Sequence, residues 1–123
     1  YLLTTSTSGA SQLSVVLNYA DGTVSEAQTI DVRDWSVTNL QGDEAYPSLG
    51  SIETSTDKLS DRFRYCLFEN SLIADASKQL AGFTVTRISG GQAYIFAASR
   101  VVPQSETGIA AVTGSQQPTI TGY

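Results

Sequence analysis

The feature that most constrains the fold is an alternating run that ends in Asp-Gly. Apolar residues occupy every second position of the stretch 13–19, and most of the positions between them are polar. This period of two is typical of a half-buried β-strand. Asp21-Gly22 follows, and a glycine accepts the positive φ of a tight turn without a Cβ clash. We therefore predict a hairpin whose strands cover 12–19 and 24–32.

The middle of the chain is less regular. Residues 37–58 are rich in Ser, Thr, Asp and Gly, which indicates loops around short strands such as 51–54. Alternation returns at 61–68 and predicts another strand. Residues 70–80 have apolar residues at helical spacing, but they fit equally a strand end followed by a turn at 75–78. On the residues alone, both alternatives stay open.

The stretch that follows contains two adjacent glycines. Residues 83–88 alternate and are rich in β-branched residues, which predicts a strand. Ser-Gly-Gly-Gln at 89–92 is interpreted as a hairpin turn. The nearly continuous apolar run at 93–102 then predicts a central strand with both faces buried. Pro103 ends this strand, because proline has no N–H for the ladder.

Composition supports an all-β chain. Charged residues make up 15% of the 123 residues, fewer than the roughly 25% typical of soluble domains, and Ser and Thr take their place. We expect an antiparallel β-sandwich of jelly-roll type with little or no helix. The sandwich domain is predicted over 1–103, and 104–123 is predicted to be an edge strand, a C-terminal linker or both.

Charge and hydropathy exclude several kinds of partner. The net charge is −5, and the 7 Lys and Arg residues are scattered, so we expect no nucleic-acid binding. There is no apolar run of about 18 residues, so we expect no membrane insertion. The chain has no initiating Met and no signal peptide, which suggests a piece of a longer protein.

The residue types that are absent limit the chemistry. The sequence contains no His, which excludes a Ser-His-Asp or Cys-His site and a His-rich zinc site. Cys66 is the single cysteine and is predicted to be a buried, structural thiol. We expect no enzymatic activity and no cofactor other than calcium.

The loop around Tyr46 is the predicted ligand site. An aromatic face stacks on the C–H groups of a sugar ring, and nearby amides or carboxylates bind its hydroxyls. The predicted ligand-binding residues are Tyr46, Glu44, Asp43 and Gln41. Loop acids also supply the oxygens that calcium prefers, and the candidate calcium ligands are Asp34, Asp43 and Glu44. Solvated surface acids are the alternative.

The only tryptophan lies in the sequence Val-Arg-Asp-Trp-Ser. Trp35 has two interpretations, a sugar-binding platform or an anchor folded over the edge of the core. We favour the anchor, with Asp34 accepting hydrogen bonds from the backbone where the chain leaves the sheet. Asp21, Gly22, Asp34, Trp35 and Cys66 are therefore predicted to be structural.

Three motifs, in order, resemble a known class of domain. They are the opening "YLLTTSTSGASQLSVVLNYADGTVSEAQTIDVRDW", then "DASKQLAGFTV", then "QAYIFAASRV". Together they resemble the galactose-binding-like jelly-roll accessory domains of bacterial secreted or cell-surface glycan-processing proteins. The resemblance implies a turn before a strand at 75–78, so we favour the turn over the helix there. It also implies a non-catalytic carbohydrate-binding or accessory module, with glycan or neighbouring domains as partners. The alternative is a structural or adhesive module that contacts other proteins.

Overall fold

The computed structural model describes residues 1–53, 55–60 and 62–101. All regular structure in these residues is β, and none of them is helical, as the sequence predicts. Accordingly, none of them forms a helix long and apolar enough to cross a membrane. The strands are β1 (Leu2–Tyr19), β2 (Gln28–Val32), β3 (Ser36–Val37), β4 (Glu44–Pro47), β5 (Ser51–Glu53), β6 (Lys58–Ser60), β7 (Arg64–Asn70) and β8 (Leu80–Ala98).

The long strand β1 organises the main sheet. It pairs along nearly its whole length with β8 on one edge, and with β2 and β7 in succession on the other. β7 in turn pairs with β3 and β4, while β5 and β6 form a separate two-stranded sheet. All these ladders are antiparallel. In the described residues the sheets do not close into a sandwich.

The Asp-Gly hairpin is confirmed. Gly22 has a φ of 84°, and the carboxylate of Asp21 accepts a hydrogen bond from the N–H of Thr23 at 2.9 Å. The turn joins β1 to β2. Strand β2 begins at Gln28, and nearer the turn the two segments form only an isolated bridge between Asn18 and Val24. The turn thus brings the two strands together, while the ladder from Gln28 onwards is shifted by one residue relative to the bridge.

The core forms on one face of this sheet. Its buried members come from β1 and β2, because alternate side chains of a strand share a face; they are Leu2, Leu13, Val15, Leu17, Tyr19, Ile30 and Val32. A smaller cluster joins Val37 to Cys66 and Phe68 of β7. The predicted burial of Cys66 is confirmed, and this burial raises the pKa of its thiol.

The hairpin turn predicted at 89–92 is wrong, because β8 runs through it without a break. Gly90 has a φ of 88°, and a Cβ there would collide with the carbonyl oxygen of Ala10. A Cβ on Gly91 would collide with the carbonyl oxygens of Thr7 and Gly9. The two glycines therefore allow β8 to approach β1 closely at an irregularity in the ladder, where β1 has positive φ at two successive residues.

The apolar run at 93–102 is not a central strand within the described residues. There, β8 pairs with β1 alone, and Tyr94 and Phe96 are 47% and 61% exposed. Residues 71–79 form no helix and contain a turn in which the N–H of Lys78 donates to the carbonyl oxygen of Asp75. The predicted edge strand or linker at 104–123 lies outside the described residues.

Candidate functional site: an exposed aromatic surface

Trp35 and Tyr65 form a stacked pair on the outside of the sheet. Their ring centroids are 4.3 Å apart at an interplanar angle of 28°, and the two residues are 43% and 36% exposed. The backbone of Trp35 is held on both sides. Its N–H donates to the carbonyl oxygen of Ser6 at 2.7 Å, and its carbonyl oxygen accepts from the N–H of Cys66 at 2.8 Å. The backbone is therefore fixed while the indole faces solvent.

The exposed indole differs from the anchor that the sequence favours. The reason is which face of β7 is buried: Cys66 and Phe68 lie on that face and are 3% and 1% exposed. Successive residues of a strand point to opposite faces, so Tyr65 points away from this buried cluster and Trp35 stacks on it there. Tyr65 is a member of the site that the predicted set of ligand-binding residues does not include. Burial of the apolar Cys66 was the signal that could have located it.

Tyr46 lies on the same face. It belongs to β4 and is paired in register with Leu67 of β7, and directly paired residues share a face. Leu67 and Tyr65 are two residues apart on one strand, so their side chains share that face too. Tyr46 is 74% exposed. We call Trp35, Tyr65 and Tyr46 the aromatic surface.

An arginine fixes β4 behind this surface. The guanidinium of Arg33 donates to the carboxylate of Glu44 at 2.9 Å, forms an ion pair with Asp43 and lies 4.8 Å from the centre of the Phe68 ring. The carboxylate of Glu44 also accepts from the backbone N–H groups of Gln41 and Gly42, at 2.8 and 2.7 Å. These contacts hold the loop that leads to Tyr46.

The predicted ligand residues therefore separate into two groups. The Glu44 side chain is 3% exposed and is engaged by Arg33 and two backbone N–H groups, so it supports β4. Tyr46, Asp43 and Gln41 remain exposed, and Asp43 and Gln41 lie on the loop just before Tyr46. The structure thus keeps one aromatic and two polar groups of the predicted set at the surface.

The candidate calcium ligands are engaged by protein donors. The carboxylate of Asp34 accepts from the backbone N–H groups of Gly9, at 2.8 Å, and Ser36, at 3.0 Å. Asp43 and Glu44 share Arg33. In the ranges that the structure describes, no three acidic, His or Cys residues are grouped as a metal site. Calcium binding stays a prediction from the pattern of acids.

The Glu44 contacts have a consequence for stability at low pH. Burial alone would raise the pKa of Glu44, but the N–H donors of Gln41 and Gly42 and the Arg33 guanidinium outweigh it and lower the pKa from 4.5 to about 2. Because the folded-state pKa is lowered, Glu44 stabilises the fold above about pH 4.5. This contribution is lost as the pH falls towards 2. We predict that Glu44→Gln flattens the decline of stability between these values, measured by urea unfolding at several pH values.

The matched control for this prediction is Glu69→Gln. Glu69 is an exposed glutamate on β7, so its substitution is expected to leave the shape of the pH profile unchanged. A Glu44→Gln profile with the same decline as the parent chain would show that this carboxylate is not held ionised by the fold.

A separate cavity of about 860 Å³ lies between the loop 71–79 and the ends of β1 and β8. The loop is held over it by Gln28, whose side chain bonds both the N–H and the carbonyl oxygen of Ile73 at 2.8 and 2.7 Å. The hydroxyl oxygen of Tyr19 also accepts a hydrogen bond from the N–H of Asp75. Leu2 and Leu17 contribute to its lining, which makes it an extension of the core.

Comparisons with known proteins assign no family. No family model, no curated protein and no solved structure matches the chain.

Proposed function

We propose that the chain is a non-catalytic carbohydrate-binding or accessory module of a larger secreted or cell-surface protein, with an architecture of the jelly-roll sandwich type. Glycan binds at the aromatic surface. One observation carries this proposal: the stacked, half-exposed Trp35 and Tyr65 share a face with Tyr46, which is 74% exposed. Large aromatic side chains are costly to leave in water, so three of them on one face favour a ligand.

The chemistry of the aromatic surface suits a sugar chain. Aromatic faces stack on the C–H groups of pyranose rings and release the water between them. Asp43 and Gln41 precede Tyr46 in the chain and are exposed; the Gln41 amide and the Asp43 oxygen that Arg33 does not bind are the groups we propose for sugar hydroxyls. The aromatic surface does not line the cavity described above, and an open surface accommodates several consecutive sugars of an extended chain.

Affinity electrophoresis in gels containing soluble polysaccharides tests this proposal. We expect at least one polysaccharide to retard the chain. Trp35→Ala and Tyr46→Ala are each expected to weaken binding by about 2- to 10-fold, since one aromatic contact contributes about 0.5–1.5 kcal/mol. Both variants should remain folded, because their side chains are largely outside the core.

The matched control is Tyr1→Ala. Tyr1 is 45% exposed, close to the exposure of Trp35, but it lies beside Ser99 and away from the aromatic surface. Its substitution should not change the retardation. Equal weakening by Tyr1→Ala, or no retardation across the panel, would contradict the proposal.

A structural or adhesive module is the second candidate. It is favoured by a different observation, the apolar residues Tyr94, Ile95 and Phe96 exposed on β8. A module of this kind contacts protein through that strand and leaves the aromatic surface without a ligand.

A further inference from the structure

The outer edge of β8 has the properties of a pairing site. In the part of the chain that the structure describes, β8 pairs with β1 alone, so no described strand occupies the other edge of its 19 residues. Exposed edge strands usually carry Lys, Pro or inward-pointing charges that prevent pairing with other chains. β8 contains no Lys, Asp, Glu or Pro. Its single charge, Arg87, lies opposite the buried Leu13 and next to an irregularity of the ladder, so the stretches 80–86 and 92–98 carry no protecting charge.

Apolar side chains lie along both halves of this edge. Phe83 is opposite Leu17 of β1, and Ile95 is opposite Thr4; Leu17 and Thr4 are both buried. Because paired residues share a face, Phe83 and Ile95 project on the core side of the sheet. They are nevertheless 36% and 37% exposed. Aromatic and β-branched residues are favoured in strands because they pack against cross-strand neighbours.

We propose that β8 pairs antiparallel with β8 of a second copy of this chain, about a two-fold axis at Ser89. In this register Phe83 lies opposite the partner's Ile95, and Val85 lies opposite the partner's Ala93. Val85 and Ala93 both pack against the core, so the core-side residues of one copy meet core-side residues of the other, as directly paired residues must.

The other face and the charges fit the same register. Thr84 lies opposite the partner's Tyr94 on the outer face, where a β-branched and an aromatic residue make a favourable cross-strand pair. Arg87 lies opposite the partner's Gly91, so the single charge of each strand does not meet its own copy. In the dimer, strands β2, β1 and β8 of one copy continue into β8, β1 and β2 of the other and form one continuous sheet. A two-fold axis of this kind is the commonest symmetry of protein dimers.

Sedimentation velocity over a range of concentrations tests the proposal. We expect a concentration-dependent species of twice the 13.1 kDa chain mass. Ile95→Lys on the core side and Tyr94→Lys on the outer side are each expected to raise the dimer Kd by about 30-fold or more. The control is Leu49→Lys, which places the same charge at an apolar residue that is 83% exposed and lies outside β8, and it should leave the Kd unchanged. A monomer at all concentrations, or a dimer that neither β8 variant weakens, would overturn the proposal.

A crosslinking experiment tests the register. Phe83→Cys and Ile95→Cys are prepared as separate proteins, mixed and mildly oxidised, because direct cross-strand neighbours lie within reach of a disulfide. The native Cys66 is buried, so it does not compete. We expect the mixture to form covalent dimers faster than either variant alone. Equal rates in all three samples would contradict pairing about Ser89.

Discussion

Phe68→Ala is expected to lower the free energy of unfolding by about 3–5 kcal/mol. Phe68 is 1% exposed and packs with Val37 and Cys66 behind β7. Its ring also contacts the guanidinium of Arg33, at 4.8 Å from the ring centre. Removing the ring leaves a cavity and takes one support from the arginine that holds β4. Urea unfolding followed by circular dichroism measures the loss.

The matched control is Phe63→Ala. Phe63 is 37% exposed and contacts Arg62, so its substitution is expected to cost only about 1 kcal/mol. If Phe68→Ala were no more destabilising than Phe63→Ala, the buried cluster behind β7 would not be as described. The outward direction of Tyr65 would then lose its structural basis.

Gly90→Ala and Gly91→Ala are each expected to destabilise the chain by about 2–4 kcal/mol. At each position the added Cβ would meet backbone carbonyl oxygens of β1, which cannot move aside as a flexible side chain does. Gly90 has in addition a φ of 88°, which L-residues adopt at a cost. Thermal and urea unfolding measure both variants.

Two further variants, Gly82→Ala and Gly90→Asn, test whether the loss of stability comes from the close approach of β1 to β8. Gly82 lies on the same strand, and a Cβ there would meet no atom within 4 Å, so Gly82→Ala should leave stability nearly unchanged. Asparagine tolerates positive φ better than alanine, so a hairpin turn at this point would accept Gly90→Asn. The continuous β8 predicts instead that Gly90→Asn is destabilising because its Cβ also meets Ala10. A stable Gly90→Asn variant would favour the turn.

Sequence predicted the parts of the fold that depend on local chemistry. The hairpin at Asp21-Gly22 needs only an alternating run and a residue that accepts positive φ, and both are visible in a short window. The all-β class follows in the same way from short alternating stretches and few charges. The hydrogen bonds that hold the backbone beside Trp35 are only partly visible in a short window of sequence. The carboxylate of Asp34 accepts from the N–H of Ser36, two residues away, but it also accepts from the N–H of Gly9 on another strand.

Sequence failed where the outcome depends on a distant segment. Gly90-Gly91 has the composition of a turn, and only the close approach of β1 explains its role within a continuous strand. Similarly, the exposure of Trp35 depends on which face of β7 is buried, and that face is set by the packing of Cys66 and Phe68 with Val37. Arg33, which organises Asp43 and Glu44, gave no signal because its partners are 10 and 11 residues away.

Trp35 fluorescence during titration with polysaccharides is the most direct test of the claim that the aromatic surface binds glycan. Trp35 is the only tryptophan in the chain, so any change in indole emission arises at this surface. We expect a saturable change with at least one polysaccharide, weakened by Tyr46→Ala and retained in Tyr1→Ala. Emission that stays constant across a broad panel, in a chain whose Trp35 is accessible to a soluble quencher, would contradict it.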